Sequence, residues 1–470
     1  MVVAIYFKVN EYEKHMLHKK LIYIVLIVSF IACSSKNPGM SKDEIVRTLD
    51  EQVMQHETAV KAASAAMPEV TEDYTPPAGI KYRAKIETAG VKTLNVQAAL
   101  KNVRSMKVSE LGTLRIHRTG ALVPMGGSLM SVEEGYLLNG YQGIYLLDKG
   151  FKLIKQLFKN DVVFQRDGKR GFFQLRTLLQ SVYYDNAHKQ IQGVYAVRDH
   201  EKNKSRTFLA FLPWDVLTTA TEPLMEKDIA NSIPLQGNLG HGGLFKFTPE
   251  GFIRGIPYSS RFYTNELKGD TLCYFDPTHS PDYPPSESAG SVRNGESHHV
   301  YDYQGKTHIC LAYDNTLYQL ENSSTLKAIY RLDFGSLQRA DGQKVIGGSN
   351  VDDSYFVDRW LETDRHLFIK ITKGYDSPNA RKAKSVSLYS LIYDKRSGDF
   401  FALPPESNSE KPEFSYLTAD GEPNMSFYPD GVVGNIPYTC LDAMKMKEKY
   451  PDVLKGQDIP DDELIVLTIE

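Results

Sequence analysis

The sequence predicts an all-β protein, a six-bladed β-propeller preceded by an N-terminal amphipathic helix. From about Lys81 onward, short runs of β-branched and aromatic residues alternate with polar ones and are punctuated by Gly, Asp, Asn and Ser, the pattern of short strands and turns. A unit of strand, polar turn and second strand recurs at intervals that suit the blades of a propeller. Helical spacing of apolar residues is strongest in one early stretch and returns only briefly near the end.

The chain begins with a segment that reads as a leader. Lys19 and Lys20 precede an apolar run, Leu21 to Ala32, that ends at Cys33. As a helix this run would span roughly 18 Å, at about 1.5 Å per residue, against a hydrocarbon core of about 30 Å, so it suits a signal peptide better than a membrane span. Ala32 is the small residue a signal peptidase needs, and Cys33 offers a thiol for a diacylglycerol. Phe30-Ile31-Ala32-Cys33 resembles the lipobox of bacterial lipoproteins, with Phe30 where Leu is usual. Residues 1–32 are thus expected to be removed and Cys33 lipidated, with membrane contact through that lipid. More than one acyl chain is needed for stable anchoring, because one alone holds only marginally. Glu11 and Glu13 fit a signal poorly, whereas Met16-Leu17-His18-Lys19-Lys20 fits well, which points to Met16 as the true start. Ser34 after Cys33 is similar to lipoproteins sorted to the outer membrane, and with no acidic cluster directly following, the periplasmic side is expected.

Residues 33–80 read as a lipid-anchored tether. Ser41 and Glu44 form a capping box, and Ile45, Leu49, Val53 and Val60 recur at near-helical spacing, so Lys42 to about Ala66 is the expected amphipathic helix. Pro76-Pro77-Ala78-Gly79 ends it, and residues 81–470 are left for the propeller.

The repeated unit is clearest in Gly143 to Phe158, Thr316 to Leu332 and Ser387 to Leu403, which align on Tyr145, Tyr318 and Tyr389. Fainter copies lie near Ile191 to Leu212 and Leu267 to Phe275, and Met425 to Thr439 supplies a sixth. A single blade has two faces to bury and only its neighbours can cover them, which explains why similar units recur. A pair of β-sandwiches is the competing architecture, but it would not require the recurrence. Asp442 to Lys449 interrupts the strands with a short helix, and Glu463 to Glu470 returns to strand and could close the ring on the first blade. The tyrosine at a fixed blade position reads as packing between blades.

With the leader removed, 51 basic and 56 acidic residues remain, a net charge of −5, and no basic stripe marks a nucleic-acid partner. Arg381-Lys382-Ala383-Lys384 reads as a solvated loop between strands. Lipidation would leave Cys273, Cys310 and Cys440, an odd number that makes no disulfide framework; Cys273 and Cys310 read as small buried hydrophobes.

Cys33, Tyr136 to Asp148 and the strand Leu464 to Ile469 together resemble a group of Bacteroidetes-type lipoproteins that carry a six-bladed β-propeller of unknown function. The resemblance implies the propeller and the anchor, and supplies no catalytic residues.

Chemistry is sparse. His298, His299 and His308 are candidate metal ligands if facing strands bring them together, though no further ligand lies at the usual spacing. Asp352 and Asp353, beside Asn350, and Asp420 with Glu422 offer oxygen ligands on loops outside any EF-hand pattern. Gly126-Gly127-Ser128 and Gly347-Gly348-Ser349 lack the second glycine of a nucleophile elbow, and Gly237 to Gly243 lack the Lys and Ser/Thr of a phosphate loop; all read as turns. No cofactor is expected. With 28 Tyr against 2 Trp, flat platforms for sugars are few. The expected function is a lipid-anchored binding or scaffolding module with a protein or glycan partner. The alternative is a carbohydrate-active enzyme whose acids converge at the central mouth.

Overall fold

The propeller expected from the repeats is what the chain forms. The computed structural model describes residues 82–123, 127–167, 170–199, 204–229, 231–234, 245–255, 262–266, 271–275, 299–311, 314–337, 352–375, 377–405, 414–419 and 425–470, all within one compact unit, Val70–Glu470. The leader, Cys33, the expected helix at Lys42 to Ala66, His298, Asn350, Asp420 and Glu422 lie outside the described residues.

The chain enters as a strap. Strand β1 (Lys85–Glu87) and β2 (Lys92–Asn95) are followed by the short helix α1 (Val96–Lys101), whose N-cap Asn95 accepts a hydrogen bond from Ala98 N. Strand β3 (Leu114–Leu122) ends the strap. Blade I is β4 (Gly127–Ser131), β5 (Gly135–Gly140), β6 (Gly143–Asp148) and β7 (Leu153–Lys159). Blade II has five strands: β8 (Asp161–Asp167), β9 (Arg170–Asp185), β10 (Gln190–Asp199), β11 (Lys204–Pro213) and, after helix α2 (Trp214–Thr219), β12 (Asn231–Pro234).

Blade III is β13 (Phe245–Thr248), β14 (Gly251–Gly255), β15 (Phe262–Asn265) and β16 (Thr271–Phe275). Blade IV is β17 (His299–Tyr303), β18 (Lys306–Cys310), β19 (Thr316–Asn322) and β20 (Thr325–Asp333). Blade V is β21 (Tyr355–Glu362), β22 (His366–Lys373), β23 (Ser387–Asp394) and β24 (Phe400–Ala402), with helix α3 (Pro378–Lys382) between β22 and β23. A two-stranded ribbon of β25 (Leu417–Thr418) and β26 (Ser426–Phe427) leads into blade VI, made of β27 (Gly431–Val433), β28 (Ile436–Asp442) and, after helix α4 (Ala443–Lys449), β29 (Glu463–Ile469).

Blade VI lacks a fourth strand of its own, and β3 supplies it by pairing antiparallel with β29 from Ile469↔Leu114 to Glu463↔Leu122. The C-terminal strand therefore closes the ring on the strand that precedes the first blade. All seven residues of β29 are buried, and Arg118 grips Glu463 through Nε at 3.2 Å and Nη2 at 3.0 Å. The Met425 to Thr439 unit proves to hold the second strand of the ribbon and the beginning of blade VI.

The strap has a second role. It lays β1 and β2 parallel along β20, the outer edge of blade IV, then bonds β24 of blade V through Arg104 N to Ala402 O, before β3 becomes the rim of blade VI. The edges of β20 and β29 are thereby covered by strap strands, and β24 by an isolated bridge from Val103 to Ala402.

The recurring tyrosine unit is the third and fourth strands of a blade. Tyr145 packs against Leu464, Val466 and Tyr438 of blade VI, Tyr318 joins Phe262 and Phe275 of blade III in one core cluster, and Tyr389 lies in the cluster between blades IV and V. Each serves the seam with the preceding blade, as inter-blade packing requires. Cys273 and Cys310 are fully buried free thiols. Two sequence readings change. Gly127 and Ser128 begin the inner strand of blade I, where close neighbours (a Cβ on Gly127 would stand 2.7 Å from Asn139 O) make the small residue necessary. Arg381 and Lys382 end helix α3, started by N-cap Ser377 and Pro378, instead of lying in an irregular loop, and they remain exposed.

Candidate axial and blade IV–V site

The inner strands β4, β9, β13, β17, β21 and β27 surround the axis, and their neighbours meet in the pairs β27·β4, β9·β13, β17·β21 and β21·β27. Charged side chains link neighbouring blades near the axis. Lys246 of blade III reaches Asp302 of blade IV at 2.8 Å. In blade V a bulge between Val357 and Arg359 interrupts the pairing of β21 with β22, which is how an inner strand re-aims a side chain. Arg359 Nη1 then donates to the Asp430 carbonyl at 3.2 Å and stands 3.9 Å from its carboxylate. Lys370 of β22, nearly buried, reaches the same carboxylate at 3.1 Å, and Thr439 Oγ1 donates to its other oxygen. Asp430 remains half exposed. Phe414 and Tyr428 rings lie 5.0 and 5.3 Å from Lys370 Nζ.

His299 sits among these groups. Burial pulls its pKa down to about 3, and Arg359, Lys370 and Lys246 push the same way, so the ring is neutral. Its Nδ1 is buried without a hydrogen-bond partner. His299 and His308 do share a face of the β17–β18 hairpin, but Tyr301, directly across from His308, stands between them. Its ring centroid is 5.5 Å from His299 and 5.4 Å from His308. Among the described residues, no three His, Cys, Asp or Glu side chains converge as a metal site would need.

His308 belongs to a deeper cluster at the blade IV–V seam. Glu362, at the end of β21, lies 2.8 Å from His308 Nδ1 in a close contact that is not aligned as a hydrogen bond. Lys395 Nζ donates to the other Glu362 oxygen at 2.5 Å and to Thr363 O at 2.7 Å, and Tyr301 Oη donates to Glu362 at 3.3 Å. Lys395 also lies 4.4 Å from the Tyr303 ring. Tyr303 Oη and Gln304 Nε2 both donate to Asp364, whose backbone N–H donates to Asn435 of blade VI at 2.6 Å. A chain of bonds thus runs across blades IV, V and VI on the face bearing the turns that follow the inner strands. Burial alone would raise the Glu362 pKa, but His308 and Lys395 bring it below its ordinary value, so the carboxylate is ionised.

Asp352 and Asp353 stand elsewhere, at the start of blade V. Asp352 accepts a hydrogen bond from Ser377, the N-cap of α3, and Asp353 pairs with Lys373 at 2.8 Å. The two acids are thus engaged in local structure. Sequence reasoning missed Glu362, Lys370 and Arg359, although a Lys inside the apolar run Leu367-Phe-Ile-Lys-Ile371 and an acid closing Phe356-Val-Asp-Arg-Trp-Leu-Glu362 are visible signs of buried charge.

Six blades closed by an N-terminal strand on a C-terminal one, with paired charges between inner strands, define a six-bladed β-propeller. Residues 77–452 match the family described as a domain of unknown function (DUF4933), and the chain belongs to that family. No curated protein matches the chain. Among solved structures, the chain is similar to a DUF4221 family member from Bacteroides vulgatus, at 10% identity and TM-score 0.38 over 76% of this chain and 96% of that one. It is also similar to a puromycin-hydrolyzing peptidase from Mycobacterium tuberculosis, at 11% identity and TM-score 0.31 over 69% and 43% of the two chains. The catalytic domain of a Coprinopsis cinerea GH62 α-L-arabinofuranosidase matches at 12% identity and TM-score 0.26, over 76% and 97%. Likenesses this remote carry nothing about activity.

Proposed function

We propose that this protein is a lipid-anchored binding module of the cell envelope, held to the outer membrane by lipid on Cys33, facing the periplasm, and engaging a partner at its axial opening. The anchor rests on the sequence pattern from Lys19 to Cys33. The binding role rests on one observation: Lys246–Asp302 and Arg359/Lys370–Asp430 bridge adjacent blades near the axis while both acids keep exposed surface. Such a lining offers donors and acceptors side by side to a polar protein loop or glycan, and loops and rims of rigid scaffolds are where recognition concentrates.

Two experiments test the two halves. Fractionation of cells expressing wild type and Cys33→Ala should move the variant from membrane to soluble fraction; wild type already in the soluble fraction would remove the anchor. Crosslinking in native membranes and a glycan array, each run with wild type and Arg359→Ala, should show one crosslinked species or glycan class that the variant loses. Equal retention by the two proteins, or turnover of the retained glycan, would refute the binding role.

A further inference from the structure

A cavity of about 190 Å³ opens between the strap and blade V, apart from the axial charges. It has room for at least roughly six waters, taking about 30 Å³ for each. Met106 of the strap with Ile392 and Phe401 of blade V gives it an apolar floor, and the rest of the wall is polar.

The polar groups differ in how far their neighbours satisfy them. Asp394 is committed: it accepts from Arg365 Nε at 3.0 Å and from the backbone N–H groups of Arg396 and Ser397 at 2.8 and 3.2 Å. Arg104 is not. Its guanidinium lies 3.9 Å over the Phe401 ring, and among the described residues it has no carboxylate partner, so at the exposed rim of the cavity its donors are open to a ligand. Glu110 takes Lys107 N through one oxygen, and Asp399 takes the Ser397 hydroxyl through one oxygen, leaving an acceptor on each. His366 is 6% exposed, has no hydrogen bond to its ring among the described residues, and approaches Asp394 no closer than 3.6 Å.

We infer that this cavity binds a free amino acid with an apolar side chain, its carboxylate on Arg104, its ammonium against Asp399 and Glu110, and its side chain on the Met106, Ile392 and Phe401 floor. A simple anion would meet three wall carboxylates, and a simple cation would leave the Arg104 fork unused. A polyol would leave the apolar floor unused. A zwitterion with an apolar part matches all three surfaces. Because Arg104 and Glu110 come from the strap and the others from blade V, the site exists only when the strap is docked.

Titration calorimetry on the full chain with L-leucine, L-methionine and L-phenylalanine tests this, with isoamylamine and 4-methylpentanoate as analogues lacking the carboxylate or the amine. One amino acid should bind saturably, and each analogue, Arg104→Ala and Asp399→Asn should weaken binding by at least about tenfold, the equivalent of losing one charge-assisted hydrogen bond. Asp399→Asn should not weaken binding of 4-methylpentanoate, since it removes a like charge, and this separates loss of a contact from loss of fold; circular dichroism checks both variants. No saturable binding up to millimolar ligand, unchanged affinity in Arg104→Ala, or tighter binding of either analogue than of the amino acid would overturn the assignment.

Discussion

Glu362→Gln keeps the size and one oxygen of the side chain but removes the charge at the centre of the blade IV–V seam. In solvent an ion pair of this kind is worth under about 1 kcal/mol, whereas breaking a buried one costs roughly 3–5 kcal/mol because the partner charge stays behind. Glu362 is 3% exposed and faces Lys395 at 2.5 Å and His308 at 2.8 Å. Lys395 keeps the Thr363 carbonyl and the Tyr303 ring, and its own side chain is 15% exposed. The expected loss is therefore about 2–4 kcal/mol at neutral pH, between a single charge-assisted hydrogen bond and a fully orphaned charge. Urea unfolding followed by tryptophan fluorescence is the assay, since Trp360 lies two residues before Glu362 in the same strand. Because the folded-state pKa of Glu362 is below its ordinary 4.5, its stabilisation is complete above that pH and fades as pH falls further. The gap between wild type and variant should narrow accordingly. A gap under about 0.5 kcal/mol at neutral pH, no more than an ordinary surface substitution gives, or one unchanged in acid, would refute the role of the carboxylate as a hub.

Burial pulls the His366 pKa down to about 4 from 6.5, so the unfolded chain takes up the proton first as pH falls. Stability should decline by up to roughly 3 kcal/mol between pH 6.5 and about 4, and His366→Gln should flatten that slope in thermal melts across the range. Gly143 has φ +144°, and a Cβ there would stand 1.9 Å from the Phe158 carbonyl oxygen; Gly120 has φ +74° with open space around it. Gly143→Ala should therefore cost well over about 1 kcal/mol, by strain and clash together, and Gly120→Ala about 1 by strain alone; equal losses in denaturant titrations would show that the close approach of strands β6 and β7 does not matter.

The parts of the fold that were legible in the sequence are the local ones. Tyr145, Tyr318 and Tyr389 stand out because the third and fourth strands of a blade form a hairpin over consecutive residues, so apolar alternation and turn appear together. The strap was invisible. Lys85-Ile-Glu87 and Lys92-Thr-Leu-Asn95 are short and polar, and they become strands only because β20, more than two hundred residues away, offers its edge. For the site, His299 and His308 were found by residue type, but the charged groups around them come from blades III and V, and one sequence cannot show which acid on one blade meets which base on the next.

The all-β class, the six-fold recurrence, the helix after Asp442 and the strand that closes the ring can be read from residue order alone, because each follows from periodicity and turn chemistry within a few residues. That Leu114–Leu122 completes the last blade, that Glu362 joins His308 to Lys395, and that the strap and blade V line a common cavity emerge only when the chain is folded. Those contacts connect residues far apart in the chain. Burial gives them their strength, because it removes the water that would otherwise satisfy each charge separately.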